Sequence, residues 1–139
     1  VIGGCLDDEF RVPSSALLQM AQGGKVTLLV SDILIEEVEK APPAVRDLLS
    51  SLPAESLEVI RADEESRQLR DEYIRAKILS AKSENDAHHV AIATLARADL
   101  IVSWNFKHIV HIEKIRGFNA VNLREGHGLI EIRSPREVI

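Results

Sequence analysis

The chain reads as an α/β domain: a parallel β-sheet flanked by helices in three α/β/α layers. Three observations carry this. Val26-Thr27-Leu28-Leu29-Val30 and Leu100-Ile101-Val102 are unbroken apolar runs, the mark of strands covered on both faces. The segments between them repeat apolar residues at helical spacing. Helices alternating with buried strands imply a parallel sheet with helices on both sides.

Taken in order, residues 14–21 form the first helix, with Leu17, Met20 and Ala21 on one face and Gly23-Gly24 ending it. The strand at 26–30 follows. Ser31 or Asp32 then caps a helix that runs to Lys40 and stops at Pro42-Pro43. A short helix spans 44–51 and closes at Pro53, and Leu57-Glu58-Val59-Ile60 alternates as a strand does. Asp63 caps a long amphipathic helix to about Leu79, and 81–85 is a polar loop. The helix at 86–98 carries the stripe Ala87, Val90, Ala91, Thr94, Leu95, Ala98, whose small residues let it lie close to a sheet. After Leu100-Ile101-Val102 comes a helix through about Arg116. Phe118-Asn119-Ala120-Val121 is expected as the last strand.

The bulk numbers narrow the function classes. At 139 residues the chain is a single domain, long enough to bury a core. With 4% aromatic residues, that core is expected to be aliphatic. A net charge of −5 gives no global basic field for nucleic acid, so RNA contact would need a local basic rim. Cys5 is the single cysteine, which excludes an internal disulfide and fits a reducing cytoplasm. No apolar run approaches the roughly 20 residues of a membrane span.

Chemistry concentrates in Glu84-Asn85-Asp86-Ala87-His88-His89 and Ser103-Trp104-Asn105-Phe106-Lys107-His108. Asp86 lies in the first turn of a helix and Asn105 just past a strand. In a parallel α/β sheet both positions fall at the carboxyl edge, where ligands bind. Taken alone, Asp86 reads as a plain helix cap and Asn105 as a turn residue. Glu37 shifts the balance, because it occupies a slot of the inward stripe made by Leu34, Val38 and Ala41. A carboxylate on a buried edge costs free energy unless a cation or donor meets it. The alternative is a slightly rotated helix with Glu37 at the rim of the core. Glu36 is placed to pair with Lys40 at i+4, as a surface residue would.

These residues resemble the PIN domain, the metal-dependent ribonuclease fold of many toxin–antitoxin toxins. The segment from Ser31 to Glu37-Val38 is similar to the one carrying the family's second acid. Asp86, in Glu-Asn-Asp-Ala-His-His-Val-Ala-Ile-Ala, matches the third acid. Asn105, in Ser103-Trp104-Asn105-Phe106, matches the fourth position, where Asp is usual. Residues 129–137 are similar to the tail of one PIN subgroup. The resemblance implies an endoribonuclease that cleaves single-stranded RNA with Mg²⁺ or Mn²⁺. Glu37, Asp86 and Asn105 are its catalytic and metal-holding residues, and His89 and His108 are accessory. It implies an antitoxin protein and a second copy of the chain as partners, and no membrane. The second reading is a catalytically weak or inactive PIN-fold binding protein.

Two departures go with the resemblance. Nothing before Val1-Ile2-Gly3-Gly4 supplies the opening strand that carries the family's first acid. The parent protein is therefore expected to have an apolar strand ending in Asp immediately upstream; Asp7 and Asp8 are not promoted to that role. Asn105 is neutral, which weakens the charge available for a second cation.

Among the five histidines, His108 and His111 would share one helical face with Asn105. No Cys or second ligand pair stands at zinc spacing. His88 and His89 point to different faces, and His89 is the one three residues from Asp86. Lys82, Lys107, Arg116 and Arg124 are candidates for an RNA-contacting rim. Trp104 reads as a core anchor, with base stacking as the alternative.

Overall fold

The computed structural model describes Gly4 and residues 10–139. The positions of Val1, Cys5, Asp7 and Asp8 therefore lie outside the described residues. Helix α1 (Arg11–Gln22) buries Ser14, Leu17, Leu18 and Ala21. Strand β1 (Leu28–Ser31) leads into α2 (Asp32–Glu39), where the Ser31 hydroxyl accepts the Leu34 N–H as N-cap. α3 (Pro43–Ser50) starts on a proline that has no N–H to lose at a helix start. β2 (Leu57–Ile60) pairs in parallel with β1, Leu28 opposite Leu57 and Ser31 opposite Ile60. α4 (Glu64–Arg75) begins with a capping box between Asp63 and Ser66. α5 (Glu84–Leu95) precedes β3 (Leu100–Val102). α6 (Ile112–Arg124), β4 (Glu131–Arg133) and α7 (Pro135–Val138) complete the chain.

The α/β class with parallel pairing holds. Among the described residues the strands form two parallel pairs, β1–β2 and β3–β4, rather than one continuous ladder. α5 lies against both β1 and β3. It also buries more than its expected stripe. His88 and Ile92 are covered as well as Ala87, Val90, Ala91 and Thr94, because α4 packs along another side. Among the described residues no helix is long and apolar enough to cross a membrane.

The expected last strand is wrong. Phe118-Asn119-Ala120-Val121 lies inside α6, and the closing strand is Glu131–Arg133. Phe118, Val121 and Asn122 are buried on one face at helical spacing, which a four-residue β-like window conceals. The Asn119 side chain then binds the chain entering β4. Its Nδ2 donates to the Ile130 carbonyl (3.0 Å) and its Oδ1 accepts the Ile130 N–H (2.8 Å).

Helix ends explain two further shifts. α1 and α6 turn off at Gly24 and Gly126, both at positive φ. α4 and α5 stop short of Leu79 and Ala98 in the same manner, with Lys77 (φ 63) and Arg97 (φ 57) in place of glycine. In each case the N–H beyond the turn reaches back to the helix: Ile78 N to Tyr73 O (3.1 Å), Ala98 N to Ala93 O (3.0 Å).

The main core joins Leu69, Tyr73, Leu79, Val90, Phe118 and Ile132 with their neighbours. It is mostly aliphatic, but an aromatic pair sits in it: Tyr73 meets Phe118 edge to face, centroids 5.0 Å apart. The Tyr73 hydroxyl donates to Asn122 Oδ1, so neither buried polar group is orphaned. Burial pushes the Tyr73 phenol from 10.0 up to about 12, partly offset by hydrogen bonds with Thr94 and Asn122. The unfolded chain therefore releases this proton first. The associated stability is intact below pH 10 and lost as pH rises through about 12. Two units correspond to about 2–3 kcal/mol. Tyr73 is the only tyrosine, so phenolate absorbance reads it alone. Half-ionisation of the folded protein near pH 10 would contradict this burial.

Candidate metal-binding edge

Each candidate carboxylate is delivered by a different helix and held by an imidazole. Asp86 is the third residue of α5. It makes no hydrogen bond back to the Ser83 N-cap, so plain capping is not its role here. Its Oδ2 accepts instead from His108 Nδ1–H at 3.0 Å. Both side chains are about 30% exposed, with values of 28% and 30%. Glu37, near the end of α2, accepts from His89 Nε2–H through Oε1 at 3.1 Å. This contact carries the α2 acid across to α5, one helical turn past Asp86.

Glu37 is not on the buried edge. Its side chain is 44% exposed, while Val38 beside it is buried. The helix is rotated so that Glu37 stands at the rim of the core and still faces α5. Glu36 is exposed too, but among the described residues no ion pair joins it to Lys40. α2 ends at Glu39, and Lys40 is its C-cap.

Asn105 sits at the mouth of β3, and its atoms organise the loop. Its N–H donates to Ser103 Oγ (3.0 Å), and its Oδ1 accepts the His108 N–H (2.9 Å). Its carbonyl accepts the N–H groups of Ile109 (3.0 Å) and Val110 (2.7 Å). Residues 106–110 are accordingly a turn, not the expected helix, and α6 starts only after an extended His111. The single helical face shared by Asn105, His108 and His111 therefore does not exist. His111 is exposed, while His108 turns back to Asp86.

His88 and His89 diverge as expected. His88 is buried, and its Nε2 shares a hydrogen bond with Ser66 Oγ at 2.9 Å. Burial first, then Arg70, His89 and Arg67, lowers its pKa below 6.5, with Asp32 opposing. A depressed imidazole stabilises the fold above pH 6.5, and that contribution is lost as pH falls.

Sequence reasoning offered Asp32 only as an alternative helix cap. Ser31 takes the capping role, which frees the Asp32 carboxylate. Its Oδ1 accepts the Ile33 N–H and, across the sheet edge, the Ala62 N–H, both at 3.0 Å. The tandem Ser-Asp was the available signal, since one helix start needs only one of them.

Trp104 is a packing anchor. It stacks on Phe10 at 4.4 Å, donates Nε1–H to Ser14 Oγ at 2.7 Å, and lies under the Arg136 guanidinium at 5.3 Å. Phe106 beside it is 47% exposed. Arg124 is taken up by Glu72 and Glu125 at the far end of α6. Lys82, Lys107 and Arg116 form no ion pair among the described residues. A cavity of about 450 Å³ between Glu65, Arg97 and His127 lies at the other end of α5 from Asp86.

A family model described as PIN domain matches residues 1–107, a span that includes Glu37, Asp86 and Asn105. The chain belongs to the PIN-domain family. Comparison with curated proteins and comparison with solved structures each return no match. PIN domains are generally nucleases and typically use divalent metals.

The donor chemistry can be tested against such a metal. Among the described residues no three Asp, Glu, His or Cys side chains gather as a metal cluster. Glu37 Oε2 and Asp86 Oδ1 remain without a partner among those residues, and Asn105 Oδ1 has a second lone pair. These are hard oxygen donors. As donors they suit a cation held by one carboxylate and several waters, as Mg²⁺ accepts. They do not fit a cation enclosed by protein ligands alone.

Proposed function

We propose that this PIN domain is a Mg²⁺- or Mn²⁺-dependent endoribonuclease that cleaves single-stranded RNA in the cytoplasm as the toxin of a toxin–antitoxin pair. The observation that supports it most is the delivery of Glu37 and Asp86 from separate helices to one side of α5. Each has one oxygen committed to a histidine and one without a partner among the described residues.

When bound, the divalent ion supplies an activated water and offsets charge on the scissile phosphate. Glu37 and Asp86 would hold it, and Asn105 would serve as a neutral ligand or position a water through Nδ2. His89 and His108 keep the carboxylates oriented. Lys82 and Lys107 would contact phosphates, and neither is committed to an ion pair among the described residues. An antitoxin protein and a second copy of the chain are the proposed protein partners.

Neutral Asn105 and the absence of a three-donor cluster among the described residues favour one alternative, a PIN-fold binding module with weak or no activity. The deciding experiment incubates the intact protein with single-stranded RNA in Mg²⁺, in Mn²⁺ and in EDTA. Cleavage only with metal is expected. RNA bound but uncut in all three would put the binding module ahead, and cleavage in EDTA would exclude the metal–carboxylate mechanism.

The two neighbouring glutamates give a finer check on the same assay. Glu37→Gln should lower cleavage by at least roughly tenfold, whereas Glu36→Gln should leave it unchanged. Both should melt near the wild type, because exposed ion pairs contribute only about 0.2–1 kcal/mol. Equal losses in the two variants would mean that the acid on α2 has been misassigned.

A further inference from the structure

We propose that Asn105 and His108 form a positioning relay that fixes the Asp86 carboxylate, making His108 a positioning residue of this nuclease. The inference rests on the metal-nuclease reading above and adds to it. His108 lies just outside the residues matched by the family model, which end at 107.

The chain of contacts starts in the strands. Ser103 N–H donates to the Arg133 carbonyl at 3.0 Å, extending the β3–β4 pairing by one bond. Ser103 Oγ then accepts the Asn105 N–H, and Asn105 Oδ1 accepts the His108 N–H. Ile109 is buried directly after His108 and anchors the other side of the turn. The His108 backbone is thus held from both directions, and its Nδ1–H meets Asp86 Oδ2.

Three consequences follow from elementary chemistry. Donation from Nδ1 sets the tautomer, leaving Nε2 as an unprotonated lone pair in the neutral ring. Committing Oδ2 to a fixed donor fixes the plane of the carboxylate and leaves Oδ1 as the oxygen offered outward. An imidazole N–H orients the carboxylate along one direction, whereas the rotatable ammonium of a lysine would hold no fixed one. Hydrogen-bonded partners of a ligating carboxylate commonly change metal affinity by about 10–100-fold. Asparagine at 105 serves the relay as well as aspartate would, because only an acceptor for the His108 N–H is needed.

The test uses the intact protein with His108→Leu and His108→Asn, the latter able to place an amide N–H near the position of Nδ1. Mn²⁺ affinity is read by calorimetry, the tautomer of His108 by nitrogen NMR on metal-free protein, and RNA cleavage as kcat and KM. In the wild type the Nδ1–H tautomer is expected. His108→Leu should weaken Mn²⁺ binding by about tenfold or more and lower kcat with KM for RNA little changed. His108→Asn should restore most of both, and Asn105→Asp should keep the tautomer. An Nε2–H tautomer overturns the relay, as does His108→Leu with wild-type affinity and kcat. His108→Asn failing as badly as His108→Leu also overturns it, because the ring would then act directly. A wild type with the Nδ1–H tautomer that takes up no Mn²⁺ instead overturns the nuclease reading, and with it the relay's purpose.

Discussion

Asp86→Asn is expected to reduce metal-dependent RNA cleavage by on the order of 10²-fold or more, in a protein that folds normally. Size is conserved, and the amide oxygen can still accept from His108 Nδ1–H, so the contact to the turn after β3 survives. What disappears is the negative charge of one of the two candidate acidic ligands. Asp86 also lies in the first turn of α5, where a carboxylate favours the helix by roughly 0.3–1 kcal/mol. Glu84 remains in that turn, so the loss of stability stays within this range. A thermal melt and a cleavage time course separate the two effects. Full cleavage by a folded Asp86→Asn variant would remove Asp86 from the site.

Phe118→Ala is the substitution expected to cost most in stability, about 3–5 kcal/mol. Phe118 is fully buried, and it is the ring that Tyr73 meets edge-on between α4 and α6. Removing it leaves a cavity bordered by the Tyr73 ring and forfeits the aromatic contact, in a domain whose whole stability is of order 5–15 kcal/mol. Leu123→Ala on the same helix, 62% exposed, is the control and should stay within about 0.5 kcal/mol. Urea unfolding followed by circular dichroism compares the two. If Phe118 were instead in an edge strand facing solvent, the variants would be alike.

The elements that sequence alone placed best are those with a local chemical signature. Ser31, Asp63 and the Gly23-Gly24 pair mark helix boundaries because a cap or a positive φ favours few residue types. The apolar runs at β1 and β3 were legible as strands from composition, although β3 proves half-buried throughout and β1 ends on the buried, polar Ser31. The ends of α4 and α5 were not legible, since Lys77 and Arg97 adopt the left-handed turn without glycine. β4 escaped because three residues, Glu131-Ile132-Arg133, cannot establish a period, and each pairs with a β3 residue 31 positions upstream.

The site divides in the same way. Asp86 and Asn105 could be assigned to one edge from their places at a helix start and a strand end. Glu37 was assigned to that edge for a partly wrong reason, since it sits at the rim and is joined to α5 by His89. The contact of His108 with Asp86, 22 positions away in sequence, depends on a turn closed by Asn105, and no spacing rule encodes that.

The most direct test of the central claim is where a cation binds. Mn²⁺ added in small amounts to the isotope-labelled intact protein broadens NMR signals according to their distance from the ion. The account predicts that broadening centres on Glu37, Asp86 and Asn105 and spreads to His89 and His108. It also predicts that signals lining the cavity near Arg97 and His127 stay sharp. Broadening centred at that cavity, or none at Glu37 and Asp86, would contradict it.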